Sequence, residues 1–294
     1  MNSVSIKSAA IFAPGFFANG PVHTALLIGS VVAVVSATVG TFTVMRGQSF
    51  AGHALSDIGT AGGAAAPLIP VPSIYGFVAV NVVAAALMDL LGVRSPRARD
   101  VATGIVLGGA LGLAALFLYE DTTTTSNTGT VATVLFGSIF ALQSSLIPVV
   151  AGFGVAALTI TLLLYRPLLL SSISTDLAAT KGVRVRLVAI AYLLALAVAV
   201  SLSALTIGAI LSTALLIGPA ATALRLVKRT GQALVLASGI GVAAVGLGVL
   251  LAYDSVSWTD NGQGWPVSFF IVALLFGTYV ITLLVTRHQP HRNA

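Results

Sequence analysis

The chain has 294 residues, of which 57% are hydrophobic and only 7% charged, against roughly 25% charged in a soluble globular domain. With a mean hydropathy of +1.04 and several uncharged runs of about 20 residues, the composition excludes a soluble enzyme, a disordered regulator and, because the runs do not alternate polar and apolar residues, a porin-type barrel. A net charge of +6 would raise nucleic acid as a partner in a soluble protein, but the basic residues here fall in short loops between apolar runs, where they set membrane orientation, and no nucleic acid is expected.

The expected fold class is all-α: one polytopic transmembrane helical bundle of about eight or nine spans over residues 1–294, with a polar tail at 287–294. Residues 1–23 lack the features of a cleaved signal. The first span covers about 24–45. The second, about 48–66, is weaker, with Gly, Ser, His and Asp inside it. The third and fourth follow at about 73–91 and 101–119, and the fifth at about 146–165. The run 187–224 is too long for one crossing and reads as two helices joined near 201–206, with a re-entrant piece there as the route to eight spans. The last two cover about 234–253 and 267–286.

Basic residues follow every second span: Arg46, then Arg94, Arg97 and Arg99, then Arg166, Lys181, Arg184 and Arg186, then Arg225, Lys228 and Arg229, then Arg287 and Arg292. These connections are therefore cytoplasmic and the N-terminus lies outside. The intervening loops, 67–72, 120–133 and 254–266, have no Lys or Arg. Thirty glycines suit close helix packing.

The ionisable residues are few enough to exhaust. The chain has no cysteine, which excludes disulfides, iron–sulfur ligation and thiolate metal sites. Asp100 reads as the cap or start of the fourth span, and Asp89, near the end of the third, as a partner for the interface or a nearby Arg. His23 reads as interfacial, and His288 and His291 belong to the polar tail. The second span differs, because its Gly52-His53-Ala54-Leu55-Ser56-Asp57 puts His53 and Asp57 at i and i+4 on one face. From a start near Ser49 they sit roughly 6 and 12 Å into the membrane, where an ionisable side chain costs about 2.5–3.5 kcal/mol and usually has a function. An imidazole nitrogen and a carboxylate oxygen form a partial shell for a divalent cation. A proton relay and a purely structural His–Asp hydrogen bond are the other readings of the pair. None of the three lysines follows a glycine, so no phosphate-binding loop is present. No Gly-x-Ser-x-Gly elbow or His-Glu-x-x-His motif occurs either. An intramembrane hydrolase built on Ser56 and His53 has little to support it.

Several segments in order resemble the membrane permeases of bacterial ABC importers for zinc, manganese and iron(II). The 41–46 stretch Thr-Phe-Thr-Val-Met-Arg is similar to the family's Gly-Val-Phe-Val-Val-Leu-Arg, and residues 52–57 to its Gly-Asp-Ala-Leu-Ser-His. The start of the fourth span, Arg99-Asp100-Val101-Ala102-Thr103-Gly104-Ile105, is similar to Glu-Asp-x-x-x-Gly-Ile, and Leu135-Phe136-Gly137-Ser138 matches Leu-Phe-Gly-Ser. Arg166-Pro167-Leu168-Leu169-Leu170, then Asp176-Leu177-Ala178 and Gly182-Val183, matches the family's cytoplasmic segment, with the Asp–Ala spacing shortened. The most specific run, Gly-Ala-Ile-Leu-Ser-Thr-Ala-Leu-Leu-Ile-Gly-Pro-Ala-Ala-Thr-Ala at 208–223, is close to Gly-x-Leu-Leu-x-x-Ala-Leu-Leu-Ile-x-Pro-Ala-Ala-x-Ala. The resemblance spans nearly the whole chain.

The resemblance implies a permease in the bacterial cytoplasmic (inner) membrane that performs no covalent chemistry and holds no permanent cofactor. It would carry a divalent metal ion, zinc or manganese foremost, past His53 and Asp57; the family order is Asp then His, and here it is reversed with donor types and spacing kept. It implies a second permease copy or a close paralogue, two cytoplasmic ATP-binding subunits and an extracytoplasmic metal-binding protein. The expected ATPase docking surface is 223–238, around Arg225, Lys228 and Arg229, with 171–186, around Asp176, second. Glu120, Asp121, Asp254 and Asp260 are expected to give the outer loops a negative field. The alternative is a proton-coupled secondary transporter that works without an ATPase.

Overall fold

The computed structural model describes residues 15–69, 71–91, 96–124, 129–258 and 264–287. Its helices are α1 (Gly20–Met45), α2 (Ser49–Ala65), α3 (Ser73–Leu91), α4 (Pro96–Thr124), α5 (Gly129–Phe136), α6 (Ile147–Leu163), α7 (Tyr165–Ile173), α8 (Thr175–Thr180), α9 (Val185–Ile207), α10 (Ala209–Leu226), α11 (Thr230–Ser255) and α12 (Val267–Arg287). Eight of these, α1, α3, α4, α6 and α9 to α12, are long and apolar enough to cross a bilayer. The 17 residues of α2 extend about 26 Å at ~1.5 Å each, a little short of the roughly 30 Å of a hydrocarbon core, so α2 is more polar and shorter than these eight spans.

The spans sort into a centre and a periphery. In α1, 72% of the membrane window is buried, against 17% in α4. Around α1 pack α6, α9, α10 and α11, and α2 is held between α3, α4, α9 and α10. Lipid tails are as apolar as leucine, so burial alone does not drive spans together; close backbone approach and interhelical hydrogen bonds do. A Cβ at Gly40 would stand 1.8 Å from the Leu216 carbonyl oxygen, and one at Gly62 would stand 2.1 Å from that of Gly76. Polar pairs reinforce these contacts: Ser36 and Ser203 hydroxyls lie 2.6 Å apart, as do those of Thr43 and Tyr192, and Asn81 Nδ2 donates to Ser201 Oγ at 2.9 Å.

The long run 187–224 is two helices, as its length requires, but it breaks at Gly208 (φ +87°) and not at 201–206. The hydroxyls of Ser201, Ser203 and Thr206 each bond back to a carbonyl three or four residues earlier, so the polar cluster stays inside α9. Gly208 meets a second positive-φ glycine, Gly137, at the end of α5: a Cβ on Gly137 would lie 2.4 Å from the Gly208 nitrogen. α5 itself corrects part of the reading of 120–133 as a loop: α4 continues to Thr124 and α5 starts at Gly129. The connection after α6 is also helical, in α7 and α8. Pro167 sits in the first turn of α7, where its missing N–H removes no helical bond. Ser174 caps α8 by accepting from the Leu177 N–H at 3.2 Å. Asp100 is not a cap, because α4 already begins at Pro96, but it does stand at the start of the stretch of α4 apolar enough to cross, 100–123. Asp89, at the end of α3, does meet an arginine: its Oδ2 is 3.7 Å from Arg186 Nη2.

Candidate metal site on α2

The turn after α1 passes through Gly47 (φ +63°) and launches α2, whose first three turns carry the site. Ser56 faces inward, fully buried, and its hydroxyl bonds to the Ala209 carbonyl and the Ser212 hydroxyl at the start of α10. Gly52 lies against the Leu216 side chain. With α2 fixed to α10 along that face, His53 and Asp57 are turned to its open edge, with side chains 49% and 23% exposed. His53 Nε2 is 3.6 Å from Asp57 Oδ2, and His53 Nδ1 is 3.1 Å from Thr213 Oγ1 on α10. The Asp57 carbonyl accepts from the Thr60 hydroxyl at 2.5 Å.

The i, i+4 spacing thus brings together the two residues singled out in the sequence. Among the described residues no group of three or more His, Cys, Asp or Glu side chains converges. One chain therefore offers two strong donors, short of the four that zinc usually takes. The sequence reading missed Thr213 and Ser212. The adjacent Ser-Thr in an otherwise apolar run was the available signal, and only the packing of α10 on α2 gives it a meaning.

The other candidates lie elsewhere. His23, at the outer end of α1, has Nε2 2.6 Å from the Phe17 carbonyl. Asp121 and Asp254 are buried, 1% and 0% exposed, near the ends of α4 and α11; Glu120 is exposed. Asp260, His288 and His291 lie outside the described residues. A cavity of about 460 Å³ is lined by Arg46, Gln48, Asp89, Asp100 and Arg186, among others. Arg46 donates to Ser171 Oγ at 2.7 Å and lies over the Tyr192 ring, tying α7 to α1 and α9.

The segment expected to dock the ATPase, 223–238, consists mostly of the ends of α10 and α11, joined by residues 227–229. Arg225 lies over the Tyr279 ring, 5.4 Å from its centroid, and Lys228 and Arg229 are exposed. Asp176 is exposed in the first turn of α8. Beside it, Ile173 and Leu177 are exposed apolar residues, while Leu168 is buried.

The model of the ABC 3 transport family matches residues 21–285. The chain belongs to that family. It is 34% identical, over 79% of its length and 81% of the relative's, to the manganese import system permease protein ScaB of Streptococcus pneumoniae. It is 28% identical to the high-affinity zinc uptake system membrane protein ZnuB of Haemophilus influenzae, over 72% and 79% of the two chains. Among solved structures it is similar to PsaBC from Streptococcus pneumoniae in complex with Fab, with a TM-score of 0.77 and 26% identity over 93% of this chain and 96% of that one. An ABC 3 family member with this set of apolar helices is a multi-pass membrane protein.

Proposed function

We propose that this chain is the membrane-spanning permease of an ATP-driven importer of divalent transition-metal ions, zinc or manganese, in the bacterial cytoplasmic membrane. The observation that carries the reading is the half-open His53–Asp57 pair on α2, packed among membrane-crossing helices. Such groups face a path or one another and not lipid. The pair supplies half of a four-donor set, and a second copy related by a two-fold axis supplies the other half. The relatives named for manganese and zinc import support the same chemistry. The ion arrives from an extracytoplasmic metal-binding protein, is held by imidazole nitrogen and carboxylate oxygen, and is released inward.

Energy comes from two separate ATP-binding subunits. We place their main contact on α7 and α8, with Asp176, Ile173 and Leu177 presented outward and Arg46–Ser171 linking that surface to the core. Arg225, Lys228 and Arg229 flank it at the α10–α11 turn. This order reverses the sequence expectation, since residues 227–229 are the only ones between α10 and α11.

The test is accumulation of labelled zinc and manganese in cells carrying the complete transporter, at matched membrane levels. The His53→Ala/Asp57→Ala double variant should lose uptake of the transported metal. Equal uptake without the pair would make it structural. Transport by vesicles that contain only this chain would favour the proton-coupled carrier instead.

A further inference from the structure

We propose that Thr213 is a positioning residue for ion capture: its hydroxyl holds the Nδ1 edge of the His53 ring so that Nε2 faces the ion. The inference rests on the reading of His53 and Asp57 as the ion site.

The two ring nitrogens of His53 have different neighbours. Nδ1 is 3.1 Å from Thr213 Oγ1, and Nε2 is 3.6 Å from Asp57 Oδ2. In a neutral imidazole one nitrogen carries the proton and the other a lone pair. When the Thr213 oxygen accepts from Nδ1–H, the lone pair is on Nε2, the ring nitrogen 3.6 Å from a carboxylate oxygen. Two lone-pair atoms in that arrangement repel unless a cation lies between them. Bonds of about 2.1 Å to nitrogen and oxygen would bridge the 3.6 Å gap at an angle of about 120°. When the site is empty, the same hydroxyl can rotate and donate to Nδ1, which moves the ring proton to Nε2, facing Asp57. A hydroxyl serves both states because it donates and accepts; a methyl group serves neither. Metal-ligating histidines generally need such a partner on the second nitrogen, and its loss typically costs 10–100-fold in affinity.

The structure holds Thr213 in place for this role. It sits in the second turn of α10, which begins after the Gly208 break, and the preceding residue, Ser212, bonds to Ser56 of α2. His53 and Ser56 are three positions apart on α2. α10 therefore grips α2 through Ser56 and reaches the imidazole with the next side chain.

The experiment measures zinc and manganese uptake against metal concentration in cells carrying the complete transporter, normalised to membrane level, for Thr213→Val, Thr213→Ala, Thr213→Ser and His53→Ala. The expected result is a half-saturating concentration raised about tenfold in Thr213→Val and Thr213→Ala, with the maximal rate kept within about twofold, and a return to within about twofold of the parent in Thr213→Ser. The idea is overturned if Thr213→Val and Thr213→Ala keep the parent's half-saturation, if they change only the maximal rate, or if Thr213→Ser is as impaired as they are. Unchanged uptake in His53→Ala would sink the ion-site reading itself. Lost uptake in His53→Ala with normal half-saturation in Thr213→Val sinks the positioning role alone.

Discussion

Asn81 is a carboxamide with no exposed surface in the middle of α3. Its Nδ2 donates to Ser201 Oγ, which donates in turn to the Ala197 carbonyl at 2.7 Å. Its Oδ1 finds no partner among the described residues. On the other side it presses on α2, where a Cβ at Gly59 would stand 2.9 Å from Nδ2. Ser201→Ala takes away the acceptor of a fully buried amide, and interhelical hydrogen bonds of this kind are worth about 0.6–2 kcal/mol. Thermal unfolding in detergent should show a destabilisation of about 1 kcal/mol for Ser201→Ala. An unchanged midpoint would mean that Asn81 is satisfied without it. At this scale the sequence was legible where residue type and spacing coincide. His53 and Asp57 stand out because ionisable groups are rare in apolar runs and i, i+4 makes them neighbours. Thr213, Asn81 and Ser201 do not stand out, because their partners are 120 or more residues away in sequence and no local pattern encodes such a meeting.

Among the helices, the junction of α5 with the α9–α10 corner joins two positive-φ glycines back to back. Gly137 and Gly208 both have positive φ, and each Cβ would lie 2.3–2.5 Å from backbone atoms of the other's segment. A side chain at either position meets backbone strain and a clash together. Gly208→Ala and Gly137→Ala should each lower the yield of monodisperse protein in detergent severely. Gly231→Ala, on α11 with nothing within 4 Å of the added carbon, should be neutral or slightly stabilising. Normal behaviour of Gly208→Ala would show that the corner can relax. Span existence was readable from hydropathy, because runs of about 20 apolar residues have few other uses. The break at Gly208 lies a few residues past the 201–206 cluster, since hydroxyl-rich sequence resembles a break even where its side chains bond within α9. α5, α7 and α8, with 8, 9 and 6 residues, were missed as helices because segments so short carry no length signature.

For the whole molecule, counting α2 as a ninth crossing as the sequence reading does, basic residues after every second span predict residues 120 and 228 on opposite sides of the membrane. The absence of cysteine makes this directly testable with single-cysteine variants. An impermeant maleimide added to intact spheroplasts should label Glu120→Cys, and label Lys228→Cys and Asp176→Cys only after permeabilisation. Labelling of Lys228→Cys from outside would invert the topology and move the proposed ATPase surface to the wrong side.

The half-open edge of α2 also bears on how the subunit is made. A newly inserted single copy presents His53 and Asp57 without the donors that would face them, and charge held against acyl chains is costly. Pairing relieves that cost, so the groups that capture the ion also make a lone subunit recognisable as unfinished. On the proposed reading, replacing the pair with apolar residues should let unpaired copies persist in the membrane, where the unmodified chain alone would not.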